Sequence, residues 1–166
     1  MPLSRLHSFK PIVDANSRVL ILGSMPGPMA LRKQQYYGFE GNHFWTIIPA
    51  LFKKSRPLIY EDRIALVRQN KIALWDVLES CERVGAADSA IKNPNLNPIP
   101  ELLGTYSAIR AVFVNGRAAH QLFLKKYEGE VKQPIFCLPS SSPANAAMKI
   151  DEKIHKWSVI LHYLKN

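Results

Sequence analysis

Two cysteines in 166 residues, Cys81 and Cys137, are too few for a multi-bridge disulfide framework. One Cys pair cannot by itself hold an iron–sulfur cluster, so a reducing cytoplasm is the expected setting. Apolar runs are short, "VLIL" being typical, far below the roughly 20 residues of a membrane helix. The opening "MPLSRLHSFKP" lacks the apolar segment of a signal peptide, and no membrane association is expected. No repeat or low-complexity linker interrupts the chain, which reads as a single domain over residues 1–166. Basic charge is plentiful but not gathered. Lys and Arg number 22 against 13 acids, net +9, yet only pairs such as Lys53–Lys54 and Lys125–Lys126 occur. That excess leaves two readings open, a basic solvated surface or a polyanionic partner. His43, His120, His155 and His162 are scattered, and read as core or surface residues. No His/Cys/Glu set has the spacing of a zinc deaminase; no metal and no cofactor are expected.

What is present alternates between strand and helix. "RVLILGS" (18–24), "IALWDV" (72–77), "AIRAVFVNG" (108–116) and "PIFCLPS" (134–140) are short, β-rich apolar runs and predict buried strands. "NHFWTIIPALFK" predicts a helix kept short or kinked by Pro49. "LIYEDRIALVRQNK" and "RAAHQLFLKKY" predict two more. Ile150, Ile154, Trp157, Leu161 and Leu164 form the apolar stripe of a final helix. The expected fold is α/β, a three-layer sandwich around a four-stranded parallel sheet. Ligands of such sheets bind beyond the carboxyl ends of the strands. That rule selects "GSMPGP", the stretch after "LWDV", "NGR" and "PSSSPAN".

Those loops are unusual in composition. "LGSMPGPM" lacks the third glycine of a dinucleotide fingerprint and the Gly-Lys-Ser/Thr of a P-loop. Gly23, Pro26 and Gly27 suit either a plain turn or a rigid approach of main chain to a ligand. "LPSSSPAN" offers the hydroxyls and amides of Ser140, Ser141 and Ser142, suited to gripping phosphate, although Ser142 equally suits a helix cap before Pro143. Between these two loops, "QQYYGFEGNHFW" (34–45) packs two Tyr, two Phe and a Trp around two Gly. It is either a core entry or a pocket wall for something flat.

Taken together, Gly-Ser-x-Pro-Gly after a first strand, "QYYG…GNHFW" and "LPSSSPAN" after a fourth strand resemble the uracil-DNA glycosylase superfamily. The likeness is greatest to its hypoxanthine-DNA glycosylase branch. It runs in order from about residue 18 to the last helix. The resemblance implies a DNA groove across the strand ends, a flipped deaminated base as substrate, and hydrolysis of its glycosidic bond. Tyr37 would stack on the base, and Phe44 and Trp45 would pack on the sheet. Asn42 would orient the water, because Met25 stands where mismatch-type relatives place that Asn and a thioether cannot orient water strongly. Asp76 would accept the ring N–H of the base, in a pocket completed by Gly23, Ser24 and Met25. Ser140 would assist the leaving base. Pro26, Gly27, Ser141, Ser142, Pro143, Ala144 and Asn145 would meet DNA; Ala144 is too small for the wedge that some relatives carry there, and Met148 is a substitute.

Other readings stay open for the same residues. Tyr36 and Tyr37 could be ordinary half-buried aromatics, Asn42 a helix cap, and Asp76 an ion-pair partner of an Arg. Glu40 stands where relatives have a different residue, and is either an acid near the sugar or a surface group. Neither motif holds a lysine, so Schiff-base chemistry is not supported. The enzyme is expected to be a monomer. The alternatives are a uracil or thymine mismatch glycosylase, or a DNA-binding domain without turnover, with Met25 and Ser140 as weak replacements in its favour.

Overall fold

The protein is described from a computed structural model covering residues 3–165. Its centre is a four-stranded parallel sheet of β2 (Val19–Gly23), β3 (Ile72–Asp76), β6 (Ala111–Asn115) and β7 (Ile135–Leu138), in the order β3-β2-β6-β7. β2 and β3 are buried along their whole length. With both faces covered, such strands carry continuous apolar runs rather than alternation. Successive side chains still point to opposite faces. Val19, Ile21, Ile72, Leu74, Ala111 and Phe113 enter one core with Phe44, Trp45 and Trp157. Leu20, Leu22, Ala73, Trp75, Val112 and Val114 enter the other, with Ile99, Leu102, Phe123 and Tyr127. The first face is covered by α2 (Phe44–Leu51), α3 (Tyr60–Gln69), α6 (Ile150–Trp157) and α7 (Val159–Leu164). The second lies under α4 (Ile99–Thr105) and α5 (Arg117–Tyr127). The expected three-layer parallel architecture is present.

Three features depart from the expected pattern. A second, antiparallel sheet joins β1 (Arg5–His7), β4 (Leu78–Glu82) and β5 (Lys92–Leu96) in the order β1-β4-β5. Its sequences "LESCE" and "KNPNL" are polar and broken by Pro94, so no strand signal was readable there. A short helix, α1 (Pro28–Lys33), follows the first glycine-proline turn, with Pro at its first position where the missing N–H costs nothing. The final helical stripe is split at Ser158, whose hydroxyl donates to the His155 carbonyl and competes with the main-chain ladder. Pro49 does leave α2 short, at eight residues.

The strand order places the site. From β2 the chain crosses to β3 on one side, and β6 then joins β2 on the other. The carboxyl ends of β2 and β6 therefore flank a topological switch point, where an open crevice forms. Gly23 ends β2 and Asn115 ends β6, while Asp76 sits opposite Gly23 in the β2–β3 register.

Candidate active site

A cleft of about 650 Å³ opens over these strand ends, in the range usual for small-molecule pockets. Gly23, Met25, Tyr37, Asn42, Asp76, Asn115 and Ser140 all line it. Three of the four loops selected from the sequence contribute through their own residues, and the one after "LWDV" contributes through Asp76, Ala87 and Asp88.

The floor is made of polar groups left without partners. Asp76 is buried, and its Oδ2 has no hydrogen-bond partner; the Tyr37 hydroxyl is likewise buried and unpartnered. Burial, with a smaller push from Asp88, raises the Asp76 carboxyl from its ordinary value to about 7. Burial and then Asp76 raise the Tyr37 phenol far above its usual range, while the nearby Asn115 side chain, which makes no hydrogen bond of ordinary geometry to it, pulls slightly the other way. No Arg pairs with Asp76 among the described residues, so the ion-pair reading is not realised. Gly23 makes room for this arrangement. A Cβ there would lie 2.6 Å from Asp76 Oδ1 and 3.0 Å from the Tyr37 hydroxyl, so both groups press against bare main chain.

"QQYYGFEGNHFW" divides between core and cleft. Tyr36 is core: its hydroxyl donates to the Lys10 carbonyl at 2.8 Å, and its own carbonyl accepts from Trp45 Nε1 at 2.8 Å. Phe44 and Trp45 are fully buried in the sheet-facing core, as expected. Tyr37 lies between the two, at φ 54°, a left-handed conformation costly for a tyrosine. One face of its ring stacks on Phe44 at 3.9 Å between centroids, and the residue also lines the cleft. The strained backbone thus sets an aromatic platform, already braced from behind, at the pocket wall. Phe39, 49% exposed, adds a second ring at the rim, laid over Gly41, where a Cβ would meet the ring at 2.6 Å.

Asn42 is oriented rather than free. Its Oδ1 accepts from the Phe44 N–H at 2.9 Å, an Asx turn at the start of α2. The N-cap position of α2 is held by His43, so Asn42 supports the helix start through this turn rather than as the cap itself, and it also lines the cleft. The amide plane is fixed by the bond it makes to the helix, which leaves Nδ2 and the second Oδ1 lone pair for another partner. Glu40 is not a cleft residue. It lies at the surface among Arg56, Lys33 and Arg63, at 3.1, 3.7 and 3.8 Å.

The serine loop spends its amides on itself. Ser141 N–H donates to Asn115 Oδ1 and Asn115 Nδ2 donates to Ser141 Oγ, both at 2.9 Å. Ser142 N–H donates to Ser140 Oγ, Ala144 N–H to Ser142 Oγ, and Asn145 N–H to the Ser142 carbonyl. The N–H groups of Ser141, Ser142, Ala144 and Asn145 are thus already bonded within the protein, which leaves the hydroxyls as the loop's groups for a phosphate. What Ser140 and Ser142 retain is their O–H hydrogens, since each oxygen is engaged as an acceptor. Ser141 is buried and serves the loop's own shape. Asn145 turns its amide to the Ser140 carbonyl at 3.4 Å and does not line the cleft. Pro143 and Ala144 are exposed at the rim. Gly116, at φ 98°, permits the close seat of this loop, because a Cβ there would meet Ser140 Cβ at 3.1 Å.

The first loop is fixed from the antiparallel sheet. Buried Arg83 donates to the Pro26 carbonyl at 2.9 Å, and Ser24 Oγ donates to Asp88 Oδ1 at 2.7 Å. Met25 is buried in the second core yet lines the cleft, with Pro26 and Gly27 beside it. Asn115, Arg83 and Phe39 were missed by sequence reasoning. For Asn115 a signal existed, a lone Asn closing the apolar run "AVFV" in a loop already selected. For Arg83 none did, because its partner sheet was unreadable.

These features define an open cleft at the switch point of an α/β/α sandwich, walled by an aromatic platform and floored by a buried carboxyl. A family model described as the Uracil DNA glycosylase superfamily matches residues 10–164, and the chain belongs to that superfamily. The chain is 36% identical to a hypoxanthine DNA glycosylase of Methanosarcina barkeri, over 84% of this chain and 87% of that protein. It is 33% identical to a hypoxanthine DNA glycosylase of Methanosarcina acetivorans, over 95% and 98% respectively. The solution NMR structure of a uracil DNA glycosylase candidate from Methanosarcina acetivorans superposes with a TM-score of 0.85 at 30% identity, over 98% of this chain and 100% of that one. Among the described residues, no helix is long and apolar enough to cross a membrane.

Proposed function

We propose that this protein is a monofunctional DNA glycosylase that hydrolyses the glycosidic bond of hypoxanthine extruded from DNA. The observation that carries the reading is the buried, unpartnered carboxyl of Asp76 beside the braced ring of Tyr37, in a chain whose relatives bear that activity in their names. A flipped purine stacks on the free side of Tyr37, a contact worth about 1–3 kcal/mol per base. The ionised Asp76 then accepts the ring N1–H. Adenine, the parent base, has a lone pair at that nitrogen and is repelled.

Bond cleavage sends the electron pair to the leaving base. Ser140 donates a hydrogen bond from its hydroxyl to that base, and the cationic sugar is stabilised by the DNA phosphates. A water held by the Asn42 amide then adds to the sugar, and its proton passes to the departed anionic base, which leaves as neutral hypoxanthine. Asn42 orients without acting as a strong base, which suits a step in which the sugar is already electron-poor. The hydroxyl of Ser142, with Arg32 at the rim, receives the backbone around the extruded nucleotide.

The test is single-turnover cleavage of labelled oligonucleotides carrying hypoxanthine, uracil, or thymine opposite guanine, with alkali revealing abasic sites. Preferential release of hypoxanthine is expected. Preferential release of uracil, whose N3–H can also reach Asp76, would assign the other substrate. DNA binding that weakens with salt but yields no abasic product would leave only a binding role.

A further inference from the structure

One buried cation has no place in the chemistry above. Lys153, on α6, is 0% exposed, and no carboxylate among the described residues lies within ion-pairing distance of it. Burying an ammonium without a counter-charge is costly, and a neutral donor would tie helices together at less expense. Its nitrogen lies 3.3 Å from His43 Nδ1 and 3.3 Å from the Ser142 carbonyl. An ammonium has three donors and no acceptor. The Ser142 carbonyl is an acceptor in any case, and although burial lowers the Lys153 pKa, a charged Lys153 can only donate to His43 Nδ1, which is then the unprotonated ring nitrogen. The remaining ring hydrogen is then on Nε2, which has no protein partner among the described residues.

The two contacts join the two halves of the site. His43 follows Asn42 directly, and its own N–H donates to the Ser141 carbonyl at 2.9 Å. On the same helix, Trp157 Nε1 donates to the Pro139 carbonyl at 2.8 Å. Thus α6 grips the serine loop at Pro139 and at Ser142, and meets the Asn42 turn through the Lys153–His43 contact and through Trp157, whose ring packs edge-on against Phe44. We propose that Lys153 is a positioning residue, whose charge holds His43 as the neutral Nδ1-acceptor, Nε2–H tautomer and so locks the Asn42 turn to the serine loop. This rests on the role given above to Asn42.

The charges facing His43 are cations, Lys153 from α6 and Arg56 from the segment after α2. Desolvation, then Lys153, then Arg56 lower its pKa from the ordinary value. The imidazole therefore stays neutral where a free histidine would take a proton. A charged ring would repel Lys153 and loosen the side-chain tie, leaving the turn that carries Asn42 held to the serine loop by the His43 N–H bond to the Ser141 carbonyl.

The test combines a tautomer measurement with kinetics. Long-range ¹H–¹⁵N spectra of the whole protein should show His43 with an acceptor-type Nδ1 and a protonated Nε2, titrating below the usual histidine value of about 6.5. In Lys153→Met the midpoint should rise, and single-turnover base release at saturating enzyme should fall by about tenfold or more, as for other small misplacements. DNA affinity should change much less than the rate. Lys153→Arg, also donor-only, should keep the tautomer and recover most of the rate. A protonated Nδ1 in the wild-type spectrum would overturn the proposal without any variant. So would a folded Lys153→Met with unchanged rate and unchanged His43 titration. Should the wild type show this tautomer yet release no base from any substrate, the functional reading fails while the tie itself stands.

Discussion

The floor of the cleft and its serine-loop wall are built from similar residues and treated in opposite ways. On the wall, Asn115 and Ser141 exchange two hydrogen bonds, and Ser142 and Asn145 both donate to Ser140, leaving the Ser140 and Ser142 O–H hydrogens free. On the floor, Asp76 Oδ2 and the Tyr37 hydroxyl are buried with no partner. Buried polar groups are almost always paired, and an unpaired one costs about 1–3 kcal/mol. A protein that closes one network so fully a few residues away could have closed the other. The satisfied wall holds a shape, and the unsatisfied floor awaits a ligand that completes it.

The comparison can be broken from the wall side first. Asn42→Ala removes the group that orients water and should lower single-turnover base release by about 10²-fold or more. Loss of its Asx turn should cost only about 1 kcal/mol of stability, and DNA affinity should hardly change. Full activity in this variant would remove Asn42 from the chemistry. Asn115→Ala opens the serine-loop network and strands the buried Ser141 N–H. A stability loss of about 1–3 kcal/mol is expected in denaturant titration, with roughly a tenfold drop in rate as Ser140 drifts.

From the floor, substitutions should stabilise rather than weaken. The Asp76 carboxyl is raised from 3.8 to about 7 in the folded protein. Below about pH 4 it is protonated in both folded and unfolded chains, and its burial carries no ionic cost. Between about 4 and 7 only the unfolded chain ionises, so stability falls as pH rises, and above about 7 the cost is fully present. Asp76→Asn should therefore raise stability at pH 8, by on the order of 2–4 kcal/mol at about 1.4 kcal/mol per pKa unit. It should also abolish any rise in base release as pH passes 7. Destabilisation at pH 8 would mean the carboxylate has a partner after all. The smallest effect belongs to Tyr37→Phe, which keeps the platform and deletes one unpartnered hydroxyl. Stability should stay level or rise by about 1 kcal/mol, with a rate loss below tenfold.

The same contrast explains what could be read from the chain. The parallel sheet was legible because each strand is a fully buried apolar run, a pattern set by burial on two faces. The antiparallel sheet was not, since β5 is the exposed, polar "KNPNL" and β4 is half polar, and their pairing depends on long-range contacts such as Arg5 Nε to Ser80 Oγ. At the site, Tyr37, Asn42 and Asp76 were picked out by the resemblance of their motifs to the uracil-DNA glycosylase superfamily; residue type and loop position alone left plainer roles open. Asn115 was not picked out, because its importance lies in a two-bond fit to a loop 26 residues away. The inward turn of Ser141 was equally hidden: three consecutive serines look alike until the backbone sends one of them into the core.

The most direct test of the central claim is the titration of the Asp76 carboxyl itself, followed by ¹³Cγ NMR with and without free hypoxanthine. The account predicts a midpoint near 7 in the free protein. Hypoxanthine should move it downward, because an N–H donated to the carboxylate favours the ionised form. Adenine should not lower it. A midpoint in the ordinary carboxylate range, or one that hypoxanthine leaves unmoved, would contradict the reading of the floor as the reader of the base.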